Sequence, residues 1–195
     1  MHGLIIQALQ RFIVDTYGAG PWAAACRAMG LAGTEFEPMI VYDPALTDGL
    51  VDALSTGLSR PRPALLEDLG TYLVSTPKSA GFRRLLRFLG AGFEDFLHAL
   101  DDLPDRARLA IPDMRLPVLA LRSEGAGCYL LSCRSHLPGA GHVLVGVLRA
   151  MADDYGALAT LDHRGETGGA EQVAVQVHVS RFAEARTFDL GARTG

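Results

Sequence analysis

The chain has 195 residues, a hydrophobic content of 49% and a net charge of −4 from 18 basic and 22 acidic residues. This length and composition suffice for one globular domain, or for two subdomains that share a core, and exclude a disordered chain. The charges are spread along the sequence without a basic block, so neither nucleic acid nor a membrane surface is an expected partner. The N-terminus lacks the features of a signal peptide, which predicts a cytoplasmic protein.

The first half of the chain has the periodicity of helices. Apolar residues recur at helical intervals over residues 2–17, and Tyr17-Gly18 supplies a stop. Further helices are predicted from Pro21 to Gly30, at about 46–58, at 63–74, and at 81–100 in two pieces broken at Gly90-Ala91-Gly92.

From Pro117 the apolar period changes to that of strands. The pattern predicts a hairpin of strands 117–123 and 127–134, a helix at 140–155, and strands 157–163 and 171–179 around a Gly165 to Gly169 loop. The expected fold is therefore α+β, with a helical N-terminal subdomain packed on a C-terminal antiparallel sheet that a long helix crosses. We expect a single domain over 1–180, divided into 1–62 and 63–180, and a tail at 181–195.

The sequence carries no recognisable catalytic motif, so an enzyme is not expected. The cluster Asp162–Glu166 sits at a predicted loop edge and is expected to be a solvated turn. Cys128 and Cys133 would face opposite sides of one strand, and with Cys26 they make an odd number, which predicts reduced thiols and neither a zinc site nor disulfides. The spacing of the histidines does not predict a metal site.

Several segments, in their order and spacing, resemble the heme nitric oxide/oxygen-binding (H-NOX) family. They begin with Met1-His2-Gly3-Leu4-Ile5, continue through Tyr17-Gly18 and Trp22, and include Gly70–Val74, Phe96–Leu103, Pro117 and Gly146-Val147-Leu148. The resemblance covers about residues 1–180 and implies a helical part over an α/β part with heme between them. It also implies a sensor that regulates a separate signalling partner, such as a histidine kinase or a diguanylate cyclase.

The resemblance also implies where the iron ligand should be, and that position is altered. In the family a Leu-Asp-x-Leu sequence precedes the histidine that binds iron, and a proline that presses on the porphyrin follows 13 positions later. Here Leu100–Leu103 is followed by Pro104, and Pro117 lies 13 positions further on. A proline nitrogen within a chain is a tertiary amide without a lone pair for iron. Pro104 should also kink or restart the helix near Leu103.

His98 is the nearest histidine that could replace the ligand. Six helical residues at about 100° each place its side chain roughly 240° from the direction of residue 104, so we expect it on the wrong face.

A second signature of the family is a tyrosine, serine and arginine at alternate positions, which hold the heme propionates. The preferred register puts Cys133, Ser135 and Leu137 there, so only the serine remains. An alternative register uses Ser132 and Arg134, with Leu130 in place of tyrosine. The tyrosine is lost in both, and in the first register the charge-assisted pairing of an arginine with carboxylates is lost as well.

The remaining pocket positions implied by the resemblance are all apolar: Ile5, Leu9, Leu73, Val143 and Val147. They form either a filled core or a cavity for a neutral hydrophobic small molecule. Our interpretation is a non-enzymatic H-NOX-like regulatory domain that does not bind heme in the usual way and acts through a signalling partner or a hydrophobic ligand. The alternative is a heme-based sensor of nitric oxide or oxygen with a substitute axial ligand or none.

Overall fold

The computed structural model of the chain describes residues 3–31, 33, 35–77, 80–103 and 116–178. Four helices form its N-terminal part: α1 (Gly3–Tyr17), α2 (Ala19–Ala28), α3 (Pro44–Leu58) and α4 (Arg62–Ser75). They confirm the four predicted helices, although α2 begins two residues before Pro21. The carboxylate of Asp43 accepts a hydrogen bond from the N–H of Ala45 at 2.9 Å, so α3 begins at Pro44 behind a side-chain cap.

The segment after α4 is broken into short helices, as the glycines predict. α5 (Ala80–Arg87) and α6 (Phe93–His98) flank the break, and a 3-10 turn at Leu100–Asp102 follows. Gly90 allows a close turn here, because a Cβ atom would lie only 2.7 Å from the Cβ of Asp95. The regular helix ends at His98, and Leu103 is again helical after the 3-10 turn, which agrees with the expected restart near Leu103; Pro104 lies outside the described residues.

The C-terminal part is a four-stranded antiparallel sheet in the order β1-β2-β4-β3. Its strands are β1 (Val118–Gly125), β2 (Cys128–Arg134), β3 (Leu158–Thr167) and β4 (Ala170–His178). The long helix α7 (Ala140–Tyr155) packs on this sheet, mainly against β3, and begins and ends where the sequence predicts. The α+β expectation is confirmed.

One expectation about the sheet is wrong. Asp162–Glu166 is not a loop edge but part of β3, which continues to Thr167. The register between β3 and β4 shifts between His163 and Glu166, and Gly165 has φ +82°, which is favourable for glycine. This bulge lets the strand continue where the glycines suggested that it stopped.

Two apolar clusters form the core, and helix α4 contributes to both. One cluster gathers α1, α2, α3 and the first turns of α4, with Trp22 and Leu54 fully buried. The other lies between α5, α6, α7 and the sheet, and includes Val74 at the end of α4. All three cysteines are free, Cys26 and Cys133 being buried and Cys128 half-buried. No helix in the described part of the chain is long and apolar enough to cross a membrane.

Candidate functional site

Helices α4 and α7 cross with their backbones in contact, and this crossing joins the two clusters. A Cβ atom on Gly70 would overlap the carbonyl oxygen of Val143, and one on Gly146 would overlap the carbonyl oxygen of Glu67. The hydroxyl of Thr71 lies 3.3 Å from the carbonyl oxygen of Gly146 and 3.2 Å from that of Glu67. Glycine at both positions therefore sets the distance between the helical part and the helix that covers the sheet.

The crossing brings together several of the apolar residues that the resemblance implies as pocket positions. Leu9 of α1 is 1% exposed within the helical cluster, and Leu73 of α4 and Val143 of α7 pack against that cluster. Val147, one turn further along α7, belongs to the sheet cluster instead. Ile5 is half-buried on α1. Leu9, Leu73 and Val143 thus share one apolar region, and Val147 lies on its sheet side.

The positions of the polar signature lie at the end of β2 and in the segment that leads to α7. Cys133 is buried in the sheet cluster, and burial raises the pKa of its thiol to about 12. Ser135 is exposed, and its hydroxyl accepts a hydrogen bond from the N–H of Leu137 at 3.1 Å. Leu137 is half-buried. The three side chains offer one hydroxyl and no cation.

The alternative register places its residues on β2. The Ser132 hydroxyl donates to the side-chain oxygen of Gln172 at 2.8 Å, and Leu130 is half-buried. Arg134 is exposed at the strand end. Pro117 is half-buried just before β1.

A polar network that the sequence did not predict lies at the N-terminal end of α7. His142 of α7 stacks on His163 of β3, with ring centroids 3.9 Å apart and planes at 18°. Nδ1 of His142 lies 3.3 Å from a carboxylate oxygen of Glu67, and the other oxygen of Glu67 accepts from Arg149 at 2.9 Å. The network therefore links α4, α7 and the sheet.

Glu171 of β4 completes this network and caps α7. Its carboxylate accepts hydrogen bonds from the N–H groups of Gly139 (2.9 Å) and Gly141 (3.1 Å), which are free donors at a helix start. The same carboxylate lies 2.9 Å from Nε2 of His163. Because the N–H of Gly165 donates to Nδ1 of His163, the proton of the neutral ring is on Nε2 and points at Glu171.

A cleft of about 300 Å³ opens beside this network. It is lined by both rings, by Glu166, Glu171 and Arg62, and by apolar groups including Leu66. Arg62 is held by Asp48 and Asp52 and donates to the carbonyl oxygen of Pro138 at 3.1 Å. In the described part of the chain, no cluster of three or more His, Cys, Asp or Glu residues is arranged to hold a metal ion.

The remaining described histidines lie away from the apolar region. His98 is exposed at the end of α6, with its ring edge-on to Tyr129 at 5.4 Å between centroids. His136 is exposed, and Nε2 of His178 lies 2.7 Å from the Thr160 hydroxyl.

The sequence and the fold match proteins of one class. Residues 2–163 match the family described as haem-NO-binding (HNOB). Soluble guanylate cyclase gcy-31 of Caenorhabditis elegans is 26% identical over 154 residues, which cover 79% of this chain and 22% of that protein. The guanylate cyclase soluble subunit beta-2 of Rattus norvegicus is 31% identical over 121 residues, or 58% of this chain and 18% of that protein. The chain thus spans about a fifth of the length of these relatives.

Solved structures share the fold at low sequence identity. The Fe(II) unliganded H-NOX protein from K. algicida has a TM-score of 0.79 and 15% identity, and the match covers 93% of this chain and 99% of that one. An Fe(II) H-NOX protein from S. oneidensis has a TM-score of 0.77 and 14% identity, with 91% and 96% covered. These structures share the α+β architecture of the chain. The chain belongs to the haem-NO-binding, or H-NOX, family of heme-based gas sensors.

Proposed function

We propose that this chain is a regulatory H-NOX domain that does not hold heme through an iron–histidine bond and acts by binding a signalling partner or a hydrophobic ligand. The observation that carries this proposal is that Pro104 occupies the sequence position of the family's iron ligand, while Pro117 lies 13 positions later, as the family's proline does. A proline nitrogen cannot bind iron, whereas imidazole is a usual axial donor.

The positions of the other histidines support the loss of the axial donor. His98 is exposed, and His142 and His163 are each next to a carboxylate. The rings of His142 and His163 face each other beside Glu67 and Glu171. Each of these three imidazoles is therefore either exposed or next to a carboxylate.

The polar signature positions support the same conclusion. Cys133 is a buried neutral thiol, Ser135 already accepts a backbone hydrogen bond, and Leu137 carries no charge. Two propionates need charge-assisted hydrogen bonds to be held firmly, and these three side chains supply no cation. As a donor set they do not fit a heme bound in the family's usual way.

What remains is an apolar region between α1, α4 and α7. Leu9 is buried, and Leu73 and Val143 pack against the same cluster. Leu73 and Val143 are themselves only half-buried, so this region is not fully closed to solvent. It also suits a neutral hydrophobic molecule better than a charged one.

The second candidate is a heme-based sensor of nitric oxide or oxygen with a substitute axial ligand or none. Membership of the family and the apolar character of the implied pocket favour it, because burying a porphyrin between apolar helices is itself favourable. In both cases we propose that residues 1–180 act as one domain in the cytoplasm and regulate a partner such as a histidine kinase or a diguanylate cyclase. The guanylate cyclases among the relatives, of which the chain matches about a fifth, support a signalling output.

The test restores the missing chemistry. Pro104→His, and the triple variant with Cys133→Tyr and Leu137→Arg, should gain heme affinity in a hemin titration, with the triple variant binding more tightly. Pro104→Ala is the matched control, because it removes the proline without adding a donor. The proposal predicts a histidine-ligated spectrum only in the two variants that carry Pro104→His. If wild type and the Pro104→Ala control bind hemin as tightly as Pro104→His, the second candidate is correct.

A further inference from the structure

Helix α5 carries two apolar faces, and only one of them is covered. Leu86 and Leu89 are buried in the sheet cluster, and Phe82 packs against that cluster. On another side, Leu85 is 37% exposed and Phe88 is 77% exposed. Burying an aromatic side chain that is exposed to this extent is favourable, so a surface that covers Phe88 would gain free energy from the contact.

Four exposed residues of this segment lie along one helix face. Gly81, Arg84, Leu85 and Phe88 are all exposed and follow the spacing i, i+3, i+4, i+7 of one helix face. The N–H of Phe88 donates to the carbonyl oxygen of Arg84 at 3.1 Å, so the helical turn continues to Phe88. We call these four residues the α5 stripe. It is about 10 Å long, or two helical turns.

Helix α5 is itself basic although the chain is acidic. Residues 76–93 contain four basic residues and no acidic one. Arg83 is paired with Asp154, and the guanidinium of Arg87 lies 4.0 Å above the Tyr155 ring. Arg84 differs from them, since no acidic side chain among the described residues pairs with it. Among the described residues, the stripe thus presents a guanidinium without an acidic partner beside Leu85 and Phe88.

We propose that the α5 stripe docks an amphipathic helix of a partner protein that presents a carboxylate beside its apolar side chains. Phe88 supplies an aromatic anchor, and Arg84 supplies a cation for the partner's carboxylate. Two turns of helix match the length of the stripe, and helix-on-helix packing is the usual way to cover such a face. This inference names the docking surface of the regulatory domain proposed above and rests on that proposed function.

A second exposed apolar run, Met39-Ile40-Val41, has the opposite electrostatic surroundings. It lies between Glu37 and Asp43, so an acidic helix would be repelled there. Of these two exposed apolar surfaces, the α5 stripe is therefore the one that suits a negatively charged partner.

The probe is a synthetic helical peptide with leucines at i, i+3, i+4 and i+7 and flanking glutamates, titrated into the full chain by fluorescence anisotropy. Phe88→Ala should weaken binding by about tenfold or more. Arg84→Glu should weaken it similarly and reverse its salt dependence. Leu158→Ala, at a residue 67% exposed on β3, and Arg11→Glu, at an exposed position of α1, are matched controls that should change binding by less than about twofold.

Four results would overturn the inference: equal binding of a peptide with lysine in place of glutamate, binding insensitive to Phe88→Ala, a Phe88-dependent dimer in sedimentation, or Phe88-dependent flotation with phosphatidylserine vesicles. The last two would assign the stripe to a second copy of the chain or to a lipid surface. The absorption spectrum of each variant distinguishes a failure of this inference from a failure of the proposed function. A Soret band would contradict the proposed function, whereas the peptide titration tests only whether the α5 stripe is a docking surface.

Discussion

His142 and His163 stack with their ring centroids 3.9 Å apart, although 21 positions separate them in the chain. Glu67 lies beside the first ring and Glu171 beside the second. Because these residues come from α4, α7, β3 and β4, the stack ties the helical cluster to the sheet at the start of α7.

Glu171→Gln should lower the free energy of unfolding by about 2 kcal/mol. Glutamine keeps one acceptor oxygen, whereas the two oxygens of Glu171 serve Gly139, Gly141 and His163. Chemical denaturation measures the change. Glu166→Gln is the control, because Glu166 is exposed and lines the same cleft. Equal losses in both variants would contradict the capping role of Glu171.

Gly70→Ala should destabilise the fold by about 3 kcal/mol, because the new methyl group overlaps the carbonyl oxygen of Val143 and α4 must move away from α7. Gly57→Ala in α3 is the control. A Cβ atom at position 57 has no neighbour within contact distance, so the stability of the Gly57→Ala variant should be unchanged or rise by up to about 1 kcal/mol. Thermal unfolding of both variants tests the prediction, and a tolerated alanine at position 70 would show that the two helices are not in backbone contact.

The helices and strands could be predicted where a local sequence pattern determines their type and their ends. α7 has a strong helical period and a stop at Tyr155-Gly156, and the β1–β2 hairpin has apolar runs around a glycine turn. The continuation of β3 was missed because Gly165 is a loop signal in sequence but a bulge in the sheet.

The sequence was less informative about the site. The family resemblance implied five apolar positions, of which Leu9, Leu73 and Val143 share one cluster, whereas Val147 lies in the sheet cluster and Ile5 is half-buried on α1. The His142–His163 stack depends on the β3–β4 register and on the packing of α7. Neither of these can be predicted from a local sequence pattern. The α5 stripe was not predicted, because the helical spacing of Arg84, Leu85 and Phe88 does not tell which face of the helix the fold covers.

The three thiols should react in a fixed order. Cys128 is half-buried, whereas Cys26 and Cys133 are buried, and burial raises the pKa of both buried thiols, that of Cys133 to about 12. Since the thiolate is the reactive form, a thiol reagent at neutral pH should modify Cys128 first and the other two only on unfolding. Peptide mapping by mass spectrometry gives the order, and early modification of Cys133 would contradict its placement in the core.

Tyr129 should make stability fall at alkaline pH. Its hydrogen bond to Glu94, together with burial, raises the pKa of the phenol to about 12, against an ordinary value of about 10. The folded state therefore favours the protonated phenol, and this contribution is present below pH 10 and lost as the pH rises towards 12. Tyr129→Phe should flatten the stability profile over this range. An unchanged alkaline slope in denaturation curves of the variant would contradict the assignment.

The absorption spectrum of the full chain purified from heme-supplemented cells tests the central claim most directly. With Pro104 in the ligand frame and no cation among Cys133, Ser135 and Leu137, we expect a folded, colourless protein without a strong Soret band. A sharp, stoichiometric Soret band that shifts when nitric oxide is added would contradict the account and establish a heme sensor with a different axial ligand.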